Sequence, residues 1–194
     1  MKILLVFGTR PEAIKLLPII NLLQTRVELG EVESIVCVTA QHREMLDQVL
    51  NLFKVSVDYD LDLMVKDQTP SSVASVVMSA LESVIQEESP DWVVVQGDTT
   101  TVASAALASF YSGVPVAHVE AGLRTYDRKR PFPEEINRRL ASILSDVHFA
   151  PTSSAAQNLV SERIDRSKIF VTGNTVIDAL NMALSSPIPA AITS

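Results

Sequence analysis

Short apolar runs alternate along this chain with longer stretches whose apolar residues recur every three or four positions. Residues 3–7 (ILLVF) are an unbroken apolar run, the pattern of a strand buried on both faces of a parallel sheet. The run leads into Gly8-Thr9-Arg10-Pro11-Glu12, where Pro11 suits a first helical position and Thr9 or Arg10 stands near the cap. The helix that follows is expected to reach about Arg26, with Leu16, Ile20, Leu23 and Val27 on one stripe and a kink at Pro18. Residues 33–40 read as a second strand, and 41–53 as a helix with Met45, Leu46, Val49, Leu50 and Phe53 on one face. Residues 58–67 read as an acidic loop. Residues 71–87 are amphipathic, with Val73, Val76, Val77, Ala80, Leu81, Val84 and Ile85 in the 3.6 period, and Pro90 ends that helix.

The second half repeats the alternation. Strands are predicted at Trp92–Gln96, 114–119, Val147–Ala150 and 168–171. Helices are predicted at Thr100–Tyr111, from Pro133 to about Leu144, and at 153–162 and 176–184. Alternating strand and helix predicts an α/β fold, a Rossmann-like three-layer parallel sheet with helices on both faces. Ligands of such sheets bind at the carboxyl ends of the strands. The polar clusters at 8–12, 41–44, 97–101, 120–130 and 173–175 all follow strands.

Composition narrows this picture. The 194 residues suffice for one well-buried domain and are few for two. We therefore expect one domain over 1–184 and a linker or frayed tail over 185–194. A net charge of -7 excludes general nucleic-acid binding but leaves room for a phosphorylated small molecule. The one cysteine, Cys37, sits in an apolar run and reads as an inert buried thiol. The first apolar run is too short for a signal peptide, and no run approaches the ~18 residues of a membrane span. A cytoplasmic protein without membrane contact is expected.

Charge is unevenly placed. Between Arg124 and Arg139 lie six of the 16 Lys and Arg residues, close to Glu120, Glu134 and Glu135. Acids beside such a basic island point to a bound anion with a proton transfer next to it. Asp98, between Gly97 and three threonines, fits either a helix cap or a functional acid. Glu120 has no capping role; it follows His118-Val119 at a strand end and precedes Ala121-Gly122, a functional position. Glu134 and Glu135 suit the first turn of a helix, where the dipole favours acids that have no function. His118 and His148 read as hydrogen-bonded core or rim residues, and His42 as the histidine placed to meet a ligand. The histidines lack metal-like spacing and H-E-x-x-H is absent, so no metal site is expected. G-x-G-x-x-G, the P-loop and G-x-S-x-G are also absent. The backbone of 8–11 with Arg10 can present N–H groups to an anion at a helix start; a plain tight turn fits as well.

Six motifs, taken together and in order, make the chain specific. They are VFGTRPEAIK from Val6, TAQHREMLD from Thr39, GDTTT from Gly97, HVEAGLRT from His118, PFPEEINR from Pro131 and TGNTVID from Thr172. In this order and spacing the chain resembles the non-hydrolysing UDP-N-acetylglucosamine 2-epimerases, from Ile3 to about Ala183. The resemblance implies the amino-terminal half of a glycosyltransferase-B fold, two Rossmann-like domains with the nucleotide-sugar in the cleft between them. The second domain, which supplies most uridine and diphosphate contacts and a catalytic histidine, is absent from this chain. Two smaller departures stand out: Tyr126-Asp127-Arg128-Lys129-Arg130 in the loop before Pro131, and Gln96 where relatives often carry His.

The resemblance further implies interconversion of UDP-N-acetylglucosamine and UDP-N-acetylmannosamine for surface-polysaccharide precursors. The route is anti elimination of UDP to a 2-acetamidoglucal and re-addition. No cofactor is implied, because the proton removed is not α to a carbonyl. Asp98, Glu120 and Glu134 are the implied catalytic acids, with base and acid unassigned. Arg10, Lys15, Gln41, His42 and Arg138 are the implied substrate contacts. Gln41 also matches an activator site of bacterial relatives, while Glu44 and Asp67 depart from it. A homodimer is implied for the full-length form. The chain alone is expected to be weakly active or inactive. Two other readings remain open: a hydrolysing epimerase that releases free N-acetylmannosamine and UDP, and a non-catalytic remnant that binds a nucleotide-sugar or a partner.

Overall fold

A computed structural model describes residues 1–39, 43–63, 65 and 67–185. Its elements are β1 (Lys2–Phe7), α1 (Arg10–Glu28), β2 (Glu33–Val38), α2 (Arg43–Leu52), β3 (Tyr59–Asp60), α3 (Pro70–Glu88), β4 (Trp92–Gln96) and α4 (Thr100–Tyr111). They continue with β5 (Val116–Val119), α5 (Glu134–Leu144), β6 (Val147–Ala150), α6 (Ser153–Ser161), β7 (Ile169–Val171) and α7 (Thr175–Ser185). The described part of the expected tail is the last residue of α7; 186–194 lie outside the described residues.

The strands form one parallel sheet in the order β3-β2-β1-β4-β5-β6-β7. Alternate residues of each central strand face opposite layers, as a period of two requires. Leu4, Val6, Ile35, Cys37, Val93, Val95 and Val116 pack under α3, α4 and α5. Ile3, Leu5, Phe7, Val36, Val38, Val94, Ala117 and Val119 pack under α1 and α2. The three-layer α/β reading is therefore borne out. α7 returns across the second face to pack against α1.

Winding changes direction at β1. The chain builds outward through β2 and β3, then returns to place β4 on the other side of β1. A crevice opens at the carboxyl ends of β1 and β4, because the connections from these two neighbours leave in opposite directions.

Local chemistry sets the element ends. Thr9 caps α1 in a reciprocal box with Glu12, and Pro11 occupies the first turn, as its fixed φ allows. The helix continues unbroken through Pro18. Thr69, Thr99 and Thr152 each cap the helix that follows. The helix start that was open to Asp98 or its neighbours is thus taken by Thr99, which accepts the N–H of Val102 at 3.3 Å.

The acidic segment 58–67 holds a strand that the residue pattern did not show. β3 is two residues long and pairs with the edge of β2, with the Asp58 carboxylate on the N–H of Val36 at 2.8 Å. The strand expected at 114–119 begins only at Val116, whose N–H is taken by Asp146 at 3.2 Å. Lys168 closes a 3-10 turn rather than opening β7, because Asp165 caps Ser167.

Gly122 turns the chain after β5 at φ +89°, and a Cβ there would stand 2.2 Å from the Ala155 carbonyl oxygen. Only glycine lets the β5 loop lie against α6 in this way. Gly122→Ala is expected to cost about 2–3 kcal/mol. Gly113→Ala, also at positive φ but with open space around it, should cost about 1 kcal/mol or less. Thermal unfolding of both variants checks the difference.

Candidate active site

The crevice at the β1/β4 switch encloses about 430 Å³. Its walls come from Thr9 to Glu12 and Lys15 on α1, Met45 on α2, Gln96 to Thr99 after β4, and Glu120 after β5.

Glu120 is held at the centre. Its backbone is left-handed at φ +65°, an uncommon conformation for a residue with a side chain and one that surrounding structure must enforce. Lys15 Nζ donates to both carboxylate oxygens, at 2.8 and 2.6 Å. Gln96 Nε2 donates to one oxygen at 2.6 Å, and Asn174 Nδ2 to the other at 2.8 Å. Three separated parts of the chain therefore aim at one acid. α1 gives Lys15, the end of β4 gives Gln96, and the loop before α7 gives Asn174.

Asp98 lies beside it and is bound by Arg138 of α5 through Arg138 Nη2. Burial raises the pKa of Asp98 above the ordinary aspartate value. Arg138 pulls it down, while the negative charges of Glu134 and Glu120 push it up again. Glu120 and Glu134, named from separate segments, are thus each within electrostatic reach of Asp98. Glu134 is half-buried in the first turn of α5.

The substrate-contact candidates have separate fates. Arg10 is exposed on the rim at the start of α1. Lys15 is occupied by Glu120. Arg138 is occupied by Asp98, with Glu135 at 3.5 Å from its Nη1. Gln41 and His42 lie outside the described residues. The anion cradle considered for residues 8–11 is mostly filled by the chain itself. Glu12 accepts the N–H groups of Gly8 and Thr9 at 2.9 and 2.7 Å, and Pro11 has no N–H to give. The other Glu12 oxygen accepts the Thr99 hydroxyl at 2.6 Å, tying the β1 loop to the β4 loop.

Four residues around the site were given no role in the sequence: Glu12, Glu135 and Asn174 within the motifs, and Gln96, noted there as a departure. Glu12 had a signal, since Thr-x-x-Glu before an apolar run is a capping box. Arg124 belongs to the scaffold. It pairs with Glu162 at 2.8 Å and bonds Ser142, with its side chain fully enclosed. Among the described residues no cluster of His, Cys, Asp and Glu could hold a metal ion. No described helix is long and apolar enough to cross a membrane.

Sheet order and crevice define a Rossmann-like half of the glycosyltransferase-B architecture. A lipopolysaccharide outer core galactosyltransferase shares the fold alone, at TM-score 0.65 and 14% identity. The family model for UDP-N-acetylglucosamine 2-epimerase matches residues 26–191, and the chain belongs to that family. It is 54% identical over 184 residues to a UDP-N-acetylglucosamine 2-epimerase of Neisseria meningitidis serogroup A, covering 95% of this chain and 49% of the relative. The chain also resembles the crystal structure of UDP-GlcNAc 2-epimerase from Neisseria meningitidis bound to UDP-GlcNAc. That likeness has TM-score 0.94 and 52% identity, over 100% of this chain and 51% of the other. A Methanocaldococcus jannaschii UDP-GlcNAc 2-epimerase in complex with UDP-GlcNAc and UDP matches at TM-score 0.86 and 39% identity, covering 96% and 51% of the two chains. The chain thus spans about half the length of the curated relatives it matches.

Two buried histidines face each other across β5 and β6 behind the site. His118 Nε2 lies 2.7 Å from the Gly97 carbonyl oxygen, so its ring braces the turn that carries Asp98. Burial, helped by the charge of His148 on His118 and of Lys168 on His148, pushes both pKa values down to about 4. The unfolded chain therefore binds more protons than the folded one between about pH 6.5 and 4. The histidine contribution to stability is complete above pH 6.5 and is lost as pH falls through 4, on the order of 3 kcal/mol for His118. Asp98 and Glu12 run the other way: their pKa values are raised by burial, so their contribution is lost as pH rises. The measurement is accordingly a difference. Between pH 7 and 4.5 the melting temperature of His148→Leu should fall less than that of wild type.

Proposed function

We propose that this chain carries the carboxylate-bearing half of a non-hydrolysing UDP-N-acetylglucosamine 2-epimerase. The observation that supports it most is the pairing of two acids in unlike surroundings at the strand-switch crevice. Asp98 is pushed towards its protonated form by burial, while Glu120 is fixed by Lys15, Gln96 and Asn174. Acid and base assignments arise where surroundings treat neighbouring titratable groups differently. Relatives at 52% and 39% identity have been solved with UDP-GlcNAc bound.

In the proposed reaction, a carboxylate takes the proton from the sugar carbon bearing the acetamido group. The anomeric C–O bond to UDP breaks, leaving a 2-acetamidoglucal and UDP. The sugar then turns, a carboxyl group that has exchanged its proton with solvent protonates the other face, and UDP adds back. Asp98 and Glu120 lie on different strand ends, and Glu134 approaches Asp98 from α5. That spread suits proton transfer on both faces of one ring. Developing positive charge on the ring is met by the same carboxylates. Arg10 on the rim suits the leaving diphosphate, and Arg138 reaches it by exchanging part of its hold on Asp98. In this reading a full-length form supplies the remaining contacts to uridine and diphosphate and pairs as a homodimer.

Product analysis in deuterated water tests the reaction. UDP-linked product with deuterium at the inverted carbon is expected; free N-acetylmannosamine with released UDP would replace this reading with a hydrolysing one. Asp98→Asn, Glu120→Gln and Glu134→Gln should each lower kcat by about 10²–10⁴-fold in the natural polypeptide with melting temperatures little changed. Wild-type rates in all three would end the proposal. Residues 1–194 alone should show little or no turnover, which a coupled assay for UDP-N-acetylmannosamine checks directly.

A further inference from the structure

Glu135 is the most enclosed acid near the crevice, with no exposed surface. The helix dipole accounts for a carboxylate in the first turn of α5 but not for burying it completely. A buried carboxylate is costly unless every oxygen is engaged. Here one oxygen accepts the N–H of Thr125 at 3.0 Å and the other that of Tyr126 at 3.1 Å. Tyr126 stands at φ +61°, so Glu135 pins the loop after β5 at a residue whose backbone needs outside support. The same carboxylate has a third neighbour. Arg138, one turn further along α5, lies 3.5 Å away through Nη1 while its Nη2 goes to Asp98.

One guanidinium thus stands between two acids, one on the scaffold and one in the crevice. The Arg138 side chain is 11% exposed, and its Nε is buried without a partner among the described residues. Its orientation is therefore fixed by Nη1 and Nη2 alone. We propose that Glu135 is a positioning residue for the epimerase reaction: it holds Arg138 in the orientation that places a cation on Asp98, and it ties that orientation to the loop after β5. The inference rests on the functional reading of Asp98 given above.

The consequence is specific. Without the Glu135 charge, Arg138 loses its scaffold contact and is left with its Nη2 bond to Asp98 alone, about which the guanidinium can turn. Asp98 then meets a displaced cation. Misplacement of this kind affects the chemical step, in which the cation must face Asp98 and the departing diphosphate, more than the affinity for a substrate with many other contacts. A residue that merely stapled the loop would lower stability, and its effect would not depend on Arg138.

A double-mutant cycle in the natural polypeptide separates these cases. Glu135→Gln should lower kcat on the order of 100-fold with KM changed by less than about 3-fold. Arg138→Met should lower kcat by at least as much. The double variant should be no worse than Arg138→Met within about 3-fold, because the two act through one path. Glu135→Asp keeps the charge and should recover about ten-fold of the rate lost in Glu135→Gln. If Glu135→Gln does not fold, Glu135→Asp with and without Arg138→Met completes the cycle. Losses that multiply, or a wild-type rate in Glu135→Gln, overturn the inference and leave the epimerase reading standing. An inactive wild type, or wild-type rates in Asp98→Asn and Arg138→Met, overturns the epimerase reading itself and this inference with it.

Discussion

A parallel sheet that winds in both directions from one strand must leave a gap where the directions part. In this chain the gap lies between β1 and β4, and most of the site follows from it. The strands on either side end in loops that no connection covers. Their polar residues therefore meet over the sheet edge instead of being packed under a helix. The same geometry fills the sheet interior with aliphatic side chains, while the crevice beyond the strand ends is lined mostly by polar and charged ones.

Charge in such a place has to be balanced locally. Lys15 answers Glu120, Arg138 stands between Asp98 and Glu135, and Arg124 answers Glu162. Arg124 is the fully enclosed cation of these pairs, so removing Glu162 would leave it buried and unmatched, which costs more than the pair contributes. Glu12 is balanced differently, by hydrogen bonds from two backbone N–H groups and a hydroxyl rather than by a cation. Its burial raises its pKa, and its role is mechanical: it joins two loops that the sheet only brings near each other.

How much of this the sequence carried depended on the kind of signal. Trp92–Gln96, Thr100–Tyr111 and Val147–Ala150 were legible to the residue, because apolar runs there stop at a glycine, a threonine cap or a proline. β3 was not legible; two residues are too few to show a period, and the pairing rests on Asp58 reaching across to Val36. Among the acids, position after a strand singled out Asp98 and Glu120, but nothing local gave their partners. Lys15 and Glu120 are 105 residues apart, and Arg138 and Asp98 are 40 apart. Glu135 shows the limit of local reasoning most clearly. Its place in a first helical turn supplied a complete and unremarkable explanation, and only its burial against the Thr125 and Tyr126 backbone shows otherwise.

Asn174 has a consequence of its own. Its amide nitrogen holds Glu120, and its amide oxygen takes the N–H of Val176 at 3.1 Å, at the start of α7. α7 lies against α1, and α1 carries Lys15, which holds Glu120 from the other side. The path from Glu120 through Asn174, α7, α1 and Lys15 returns to Glu120 as a closed ring of contacts. A helix outside the sheet is thereby joined to a carboxylate in the crevice through two of the three side chains that hold it.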